Sequence, residues 1–395
     1  MVVFLEICFW LFLFIVFYTY FGYGILVYII NKVSGKGKKH AERGKVEFQP
    51  VVALVVAAYN EEDYIEDKIK NTLEIDYPAE KLKIYFVTDG SDDSTASIVA
   101  RYPQITLLHQ PERRGKASAM NRAMQIIQEP FVIFCDANTM LNRSCVTEMV
   151  RPYADSRVGA VAGEKKIFQV KEGKAASAGE GIYWKYESFL KKQDSILYSV
   201  VGAAGELFSV RKELYEPVEK GVIIEDFVLS LRICERGYVV KYAPEAFAVE
   251  TASASVKDEQ KRKVRICAGG FQAMAMLKGL FNIRKHGVLT FQYISHRVLR
   301  WSLTPVCLVL LLPVNAALVL LRAGWVYDIM MAGQLFFYVL ALTGWFFANR
   351  NIKVKSLYIP YYFLFMNISV FMGFRRYLAG KQSVLWEKAA RQKLV

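Results

Sequence analysis

Between Val2 and Ile30 the chain carries a single charged residue, Glu6. A run of this kind exceeds the ~20 apolar residues that cover a bilayer. Inside a bilayer its backbone polar groups must be satisfied within the segment, so it folds as a membrane helix. No small-residue cleavage site follows, and the sequence predicts a retained anchor rather than a signal peptide. Three further apolar runs occupy Trp301 to Leu321, Ile329 to Ala348 and Tyr358 to Phe371, and nothing between Pro50 and Arg300 is apolar enough to span. The organisation this predicts is an anchor (1–30), a basic cytosolic linker (31–49), a globular α/β unit (50–265), amphipathic interface helices (266–300), a bundle of two or three spans (301–375) and a basic tail (376–395).

The block NKVSGKGKKHAERGK follows the anchor, and the positive-inside rule places it, with the globular unit, on the cytoplasmic face of the membrane. Three more crossings would then leave the basic C-terminal tail outside. The last run is the shortest and holds Asn367 mid-segment, so it is expected to be re-entrant or interfacial. A content of 54% hydrophobic residues fits membrane insertion. The excess of 51 Lys and Arg over 37 Asp and Glu sits beside the apolar runs. Anionic lipid accounts for it, and no nucleic-acid-binding module accompanies it, so nucleic acid is excluded as a partner. Six scattered cysteines without a histidine cluster support neither a disulfide framework nor a zinc site.

Within the globular unit, β-branched apolar runs alternate with helical spacing. PVVALVVAAYN, LKIYFVTDG, ITLLHQ and FVIFCDAN read as strands. EEDYIEDKIKNTL, SDDSTASIVARY and KASAMNRAMQII read as helices. Strands buried on both faces and joined by helices make a mainly parallel sheet, which binds ligands beyond its carboxyl edge. That edge collects Tyr59-Asn60-Glu61, Asp89-Gly90-Ser91 and Asp136-Ala137-Asn138. Converging acidic tips repel one another unless a cation or a positively charged ligand-holder lies among them. No G-x-G-x-x-G follows the first strand, which excludes a dinucleotide oxidoreductase. Further on, IIEDF places Glu225 and Asp226 before a helical pattern, where a plain helix N-terminus would also explain them.

The segments AAYNEE, VTDGSDDST, RRGKASAMNRA, FCDANT, VAGEKK and IIEDF, in this order, resemble the family 2 glycosyltransferases, specifically the membrane-bound members that make polysaccharides or glycolipids. The resemblance covers about Val51 to Gly270. It implies a GT-A fold, α/β with a mainly parallel sheet, flanked here by N- and C-terminal transmembrane helices, and a nucleotide-sugar donor that is UDP- or GDP-linked. It implies that Tyr59 and Glu61 border the nucleoside, that Asp89 hydrogen-bonds base or ribose, with Asp93 continuing the pattern, and that Lys116 meets the diphosphate. Asp136 becomes a ligand of Mg²⁺ or Mn²⁺, with Asn138 standing where a second aspartate often lies. Residues two apart on an extended chain face one side, and an amide oxygen ligates less strongly than a carboxylate.

By the same resemblance Asp226 is the base that deprotonates the acceptor in an inverting displacement, with Glu225 raising its basicity. Glu206, with Gly202 and Gly205, falls in the acceptor-side loop. Arg262 and Arg265 stand at the Gln and Arg of a Gln-x-x-Arg-Trp signature whose Trp is replaced by Ile266; they are acceptor contacts or a solvated helix face. A similar string, Arg297 to Trp301, reads as snorkelling arginines with an interfacial tryptophan. Phe271, Met274, Leu277 and Phe281 recur at helical spacing beside Lys278, Arg284 and Lys285, the pattern of a helix lying on the inner membrane face, with core packing as the alternative. The implied partners are the donor, a saccharide or lipid-linked acceptor, and membrane lipids. The alternative is a catalytically silent nucleotide-sugar-binding partner of another synthase or exporter.

Overall fold

The computed structural model describes residues 1–35, 48–168, 175–251, 255–350, 352 and 354–380; most of the basic linker and of the basic tail lie outside the described residues. The anchor is one helical segment, α1 (Val2–Val33). Its hydrogen-bonding pattern widens to a π-helical turn over Tyr18–Gly22, an insertion that often marks a functional position.

The globular unit then alternates as the apolar pattern requires: β1 (Val52–Ala58), α2 (Ile65–Leu73), β2 (Leu82–Asp89), α3 (Thr95–Val99), β3 (Ile105–Gln110), α4 (Lys116–Ile126) and β4 (Phe131–Asp136). There follow β5 (Met140–Leu141), α5 (Cys145–Val150), β6 (Val158–Phe168), α6 (Ala175–Leu197), β7 (Leu207–Arg211), α7 (Glu225–Glu235) and β8 (Val239–Thr251). The eight strands form one mixed sheet in the order β3-β2-β1-β4-β7-β6-β8-β5. β3, β2, β1 and β4 run parallel to one another, as do β6 and β8, while β7 is antiparallel to both β4 and β6. Alternate residues of β1 feed two cores: Ala53 and Val55 pack with Phe134, Phe208 and Phe227, whereas Leu54 and Val56 pack with Ile65, Ile69 and Met149. Burial on both faces explains why the strand reads as a continuous apolar run. The pairing of Ala57 with Asp136 and of Ala58 with Thr88 brings the three acidic tips to one edge.

The segment after the sheet differs from the expected interface helices. A single helix, α8 (Val256–Met276), begins inside the stretch assigned to the globular unit. Leu277 and Leu280 belong to the core beside Phe227 and Tyr293, and Phe271 packs on Phe374 and Tyr377. The apolar spacing is therefore mostly core packing. Phe281, Ile283 and Val288 alone remain exposed beside Lys278, Arg284 and Lys285.

After short turns over 278–301 come α9 (Leu303–Leu320), α10 (Trp325–Asn349) and α11 (Lys355–Leu378). Together with α1, the described residues contain four helices long and apolar enough to cross a membrane. The last apolar run is thus not the short interfacial piece its sequence suggested but part of a continuous helix of 24 residues. Asn367 is accommodated because its Oδ1 accepts from the Tyr20 hydroxyl at 2.7 Å and its Nδ2 donates to the Phe363 carbonyl at 2.9 Å. A polar side chain satisfied within a bundle is compatible with a spanning helix.

Candidate active site

Lys116 lies at the centre of the carboxyl edge. The turn before it is fixed by Asp89, whose Oδ2 accepts the backbone N–H groups of Arg114 at 2.9 Å and Gly115 at 2.6 Å. The same turn passes so close to Gly90 that a Cβ there would stand 2.4 Å from the Arg113 nitrogen, and Gly90 has φ +66°. Only glycine meets both demands. So placed, Lys116 Nζ donates to Asp136 Oδ1 at 2.5 Å and to the Gly205 carbonyl at 3.1 Å, and lies 3.7 Å from Glu225 Oε1. Burial alone would lower the pKa of this ammonium, but Asp136, Glu225 and Asp226 outweigh it and hold the value well above the usual lysine range. The cation required among the acidic tips is therefore supplied by the chain itself.

Asp226 occupies the first turn of α7. Burial, then the neighbouring charges of Glu225 and Glu206, push its carboxyl up to about 7 against the opposing pull of Lys116. Gly205 fits between the two groups: a Cβ on it would sit 3.0 Å from Lys116 Nζ and 3.3 Å from Asp226 Oδ2. Arg265 faces the same carboxylates; burial lowers its pKa while Glu225, Asp226 and Asp136 oppose the change.

These groups border a chamber of about 1090 Å³ that runs from the strand tips to the membrane helices. Beside the strand tips the Arg113 guanidinium stacks on the Tyr59 ring at 3.7 Å, and Glu61 and Asn138 complete the wall. Asn138 Oδ1 is buried without a hydrogen-bond partner among the described residues. Farther in, Lys165 bridges Glu206, at 2.5 Å, and Glu250. Burial favours the neutral acid of Glu206, yet Lys165 holds it well below the ordinary carboxylate range. Arg262 lines the chamber too, with its guanidinium on Glu259 at 2.9 Å, so it is ion-paired rather than a solvated face. Tyr59, Glu61, Lys116, Asp136, Asn138, Glu206, Glu225, Asp226, Arg262 and Arg265 thus share one space. Asp89 is 5% exposed: its Oδ2 anchors the turn beneath, and its Oδ1 has no hydrogen-bond partner among the described residues.

The string Arg297 to Trp301 is likewise not a snorkelling pair. Glu187 on α6 receives Arg297 Nη1 at 3.1 Å and also pairs with Arg300 Nη1, while Trp301 packs on Phe227 with ring centroids 5.3 Å apart. All three residues border the chamber. Beside them His296 Nδ1 hydrogen-bonds Asp194 Oδ2 at 2.6 Å, and Asp194 also accepts from Tyr23 of α1. This half of the site escaped sequence reasoning. A signal was present, because Trp184, Glu187, Lys191 and Asp194 recur at the spacing of one helix face, where a purely structural helix carries apolar residues.

The mainly parallel sheet thus gathers an acidic carboxyl edge, a central lysine and a carboxyl raised to about 7 at one end. Residues 53–218 match the family described as Glycosyl transferase family 2. The chain is 27% identical over 244 residues to the poly-β-1,6-N-acetyl-D-glucosamine synthase of Staphylococcus aureus (strain MSSA476), a match covering 59% of this chain and 57% of that relative. The synthase of the same name from Staphylococcus epidermidis is 24% identical over 242 residues, 58% of this chain and 57% of the relative. The match thus spans little more than half the length of these relatives. Among solved structures, the mannosyltransferase PcManGT from Pyrobaculum calidifontis, in complex with GDP-Man and Mn2+, superposes with a TM-score of 0.69 at 22% identity, covering 95% of this chain and 99% of that one.

Proposed function

We propose that this protein moves a sugar, with inversion, from a nucleoside-diphosphate donor to a membrane-associated saccharide or lipid acceptor. The observation that carries the reading is the place of Asp226, a half-buried carboxylate that faces the same chamber as the Lys116–Asp136 pair and is raised to about 7 there. A general base works best when its pKa lies near the working pH. In the reaction Asp226 takes the acceptor hydroxyl proton as that oxygen attacks the anomeric carbon. The carbon–oxygen bond to the diphosphate breaks on the opposite face, and its electron pair leaves on the nucleotide. Lys116, aimed at that departing charge, stabilises it, and Tyr59 with Arg113 provides a flat surface for the nucleoside.

A donor diphosphate adds about two negative charges to an edge that already holds Asp136, Glu225 and Asp226, so a further cation fits the site. Asp136 and Asn138 would hold Mg²⁺ or Mn²⁺; the partnerless Asn138 oxygen is a hard donor of the kind both ions take. When bound, the ion would neutralise charge on the leaving diphosphate. The basic residues after α1 support a cytoplasmic catalytic unit.

The test is transfer from UDP- and GDP-sugars by the purified full-length protein in lipid, with Asp226→Asn beside it. Sugar transfer by the wild type and nucleotide binding without transfer by the variant are expected. A variant that keeps most of its turnover removes Asp226 from the mechanism.

A further inference from the structure

The membrane-facing half of the chamber contains cationic donors without a hydrogen-bond partner among the described residues. Lys191, one turn along α6 from Glu187, is 2% exposed and borders the chamber, and its Nζ has no hydrogen-bond partner among the described residues. Its nearest aromatic neighbours are the Trp184 and Tyr242 rings, at 5.6 and 5.9 Å. Arg300 is 9% exposed and gives only Nη1 to Glu187, leaving Nε and Nη2 without partners among the described residues. Arg297 adds a second guanidinium to the same carboxylate. Unpaired buried cationic donors are costly, because hydration lost on burial is not replaced. Neutral sugar hydroxyls would return hydrogen bonds but no charge. Three separate cationic groups suit the several oxygens of a phosphate better than a planar carboxylate.

The wall changes character next to this cluster. In the π-helical turn of α1, Tyr20 packs on Phe363 of α11 with ring centroids 4.7 Å apart, and Phe21, Ile359 and Met366 line the chamber around that contact. Phe21 and Ile359 are 60% and 49% exposed, so the chamber has an apolar mouth between two helices that would stand in the bilayer. The geometry points to a second anion site: Lys191 and Arg300, with Arg297, take the phosphate of a lipid phosphate ester whose hydrocarbon chain leaves between α1 and α11. This rests on the transferase reading and deepens it, since that lipid is then the carrier of the acceptor.

The experiment measures binding to the full-length protein in nanodiscs with farnesyl phosphate, inorganic phosphate, farnesol and octyl β-glucoside, and UDP and GDP as controls. Farnesyl phosphate is expected to bind at least tenfold more tightly than any of the other three non-nucleotide ligands. Lys191→Met should weaken farnesyl phosphate by about tenfold, the value of one charge-assisted hydrogen bond, and leave farnesol and nucleotide binding unchanged. Lys191 has no hydrogen bond to lose, so the variant should fold, which thermal melting checks, and Lys191→Arg should restore much of the affinity. Equal binding of farnesol or inorganic phosphate overturns the inference, as do tighter binding of the glucoside and a Lys191→Met protein with unaltered affinity. Nucleotide binding without farnesyl phosphate binding sinks this inference alone, whereas failure to bind any nucleotide sinks the transferase reading.

Discussion

The two ends of the chamber invert one another. At the donor end three carboxylates, Asp136, Glu225 and Asp226, face Lys116 and Arg265. Around Glu187 one carboxylate takes both Arg297 and Arg300, while Lys191 nearby also feels Glu164 and Glu206. Burial, helped by the surplus of acids, raises Asp226 into the range of a useful base, and that surplus leaves room for a cation. At the other end Glu187 is bridged by both arginines, and Lys191 Nζ with Arg300 Nε and Nη2 has no hydrogen-bond partner among the described residues. One end is strained for chemistry, and the other is held together by its ion pairs. Substitutions at the two ends should therefore fail differently.

The largest expected effect lies at the donor end. Asp226→Asn should lower transfer by about 10²–10⁴-fold, the usual contribution of a general base, with nucleotide affinity retained in a calorimetric titration. Its stability should move the other way. Folding raises the Asp226 carboxyl from 3.8 to about 7, so the native state binds the proton more tightly than the unfolded chain. The wild type thus loses stability as pH climbs from about 4 to about 7. The asparagine variant has nothing to titrate there and should melt higher than the wild type at pH 8, by a margin that vanishes near pH 4.

Glu187→Gln tests the other end and should reverse this pattern. Removing the carboxylate leaves two buried guanidiniums facing an amide, a loss of about 3–5 kcal/mol. Burial works against ionisation of Glu187, but Arg297 and Arg300 hold its pKa well below the ordinary value, so the penalty should be present throughout the neutral range. Thermal unfolding in detergent measures it, and a variant as stable as the wild type would erase the contrast between the two ends. Smaller again is Gly205→Ala. The added methyl would meet Lys116 Nζ at 3.0 Å; displacing that ammonium by a few tenths of an ångström should reduce kcat by about tenfold, with melting temperature nearly unchanged.

The donor end was legible because its residues follow buried strands directly. Asp136 and Tyr59 stand at or just after the tips of β4 and β1, and a parallel sheet sends such tips to one edge whatever its details. Asp89 was legible as a tip, but its hold on the 113–115 turn was not, since only the tertiary path brings those backbone N–H groups onto its Oδ2. The membrane end was opaque for a related reason. Glu187 meets Arg297 and Arg300 across 110 and 113 residues of chain, and an Arg-x-x-Arg-Trp string beside an apolar run has the same spelling whether its arginines snorkel or pair. Asn367 misled in the same way: its partner, Tyr20, is 347 residues distant.

Glu225→Gln should have the smallest effect and probes the comparison most finely. If the excess of acid is what tunes Asp226, deleting one of its charges must lower the Asp226 pKa, yet burial is the larger cause of the rise and survives the substitution. Asp226 acts as a base only when deprotonated, so transfer climbs with pH through about 7 and levels off above it. In the Glu225→Gln protein the climb should shift down by roughly half a pH unit, making the variant about threefold more active than the wild type at pH 6 relative to their plateaus. The pH profile of kcat/KM reads this directly. An unshifted profile would mean that burial alone sets the base, and that the acids gathered at the donor end serve the cation rather than the proton.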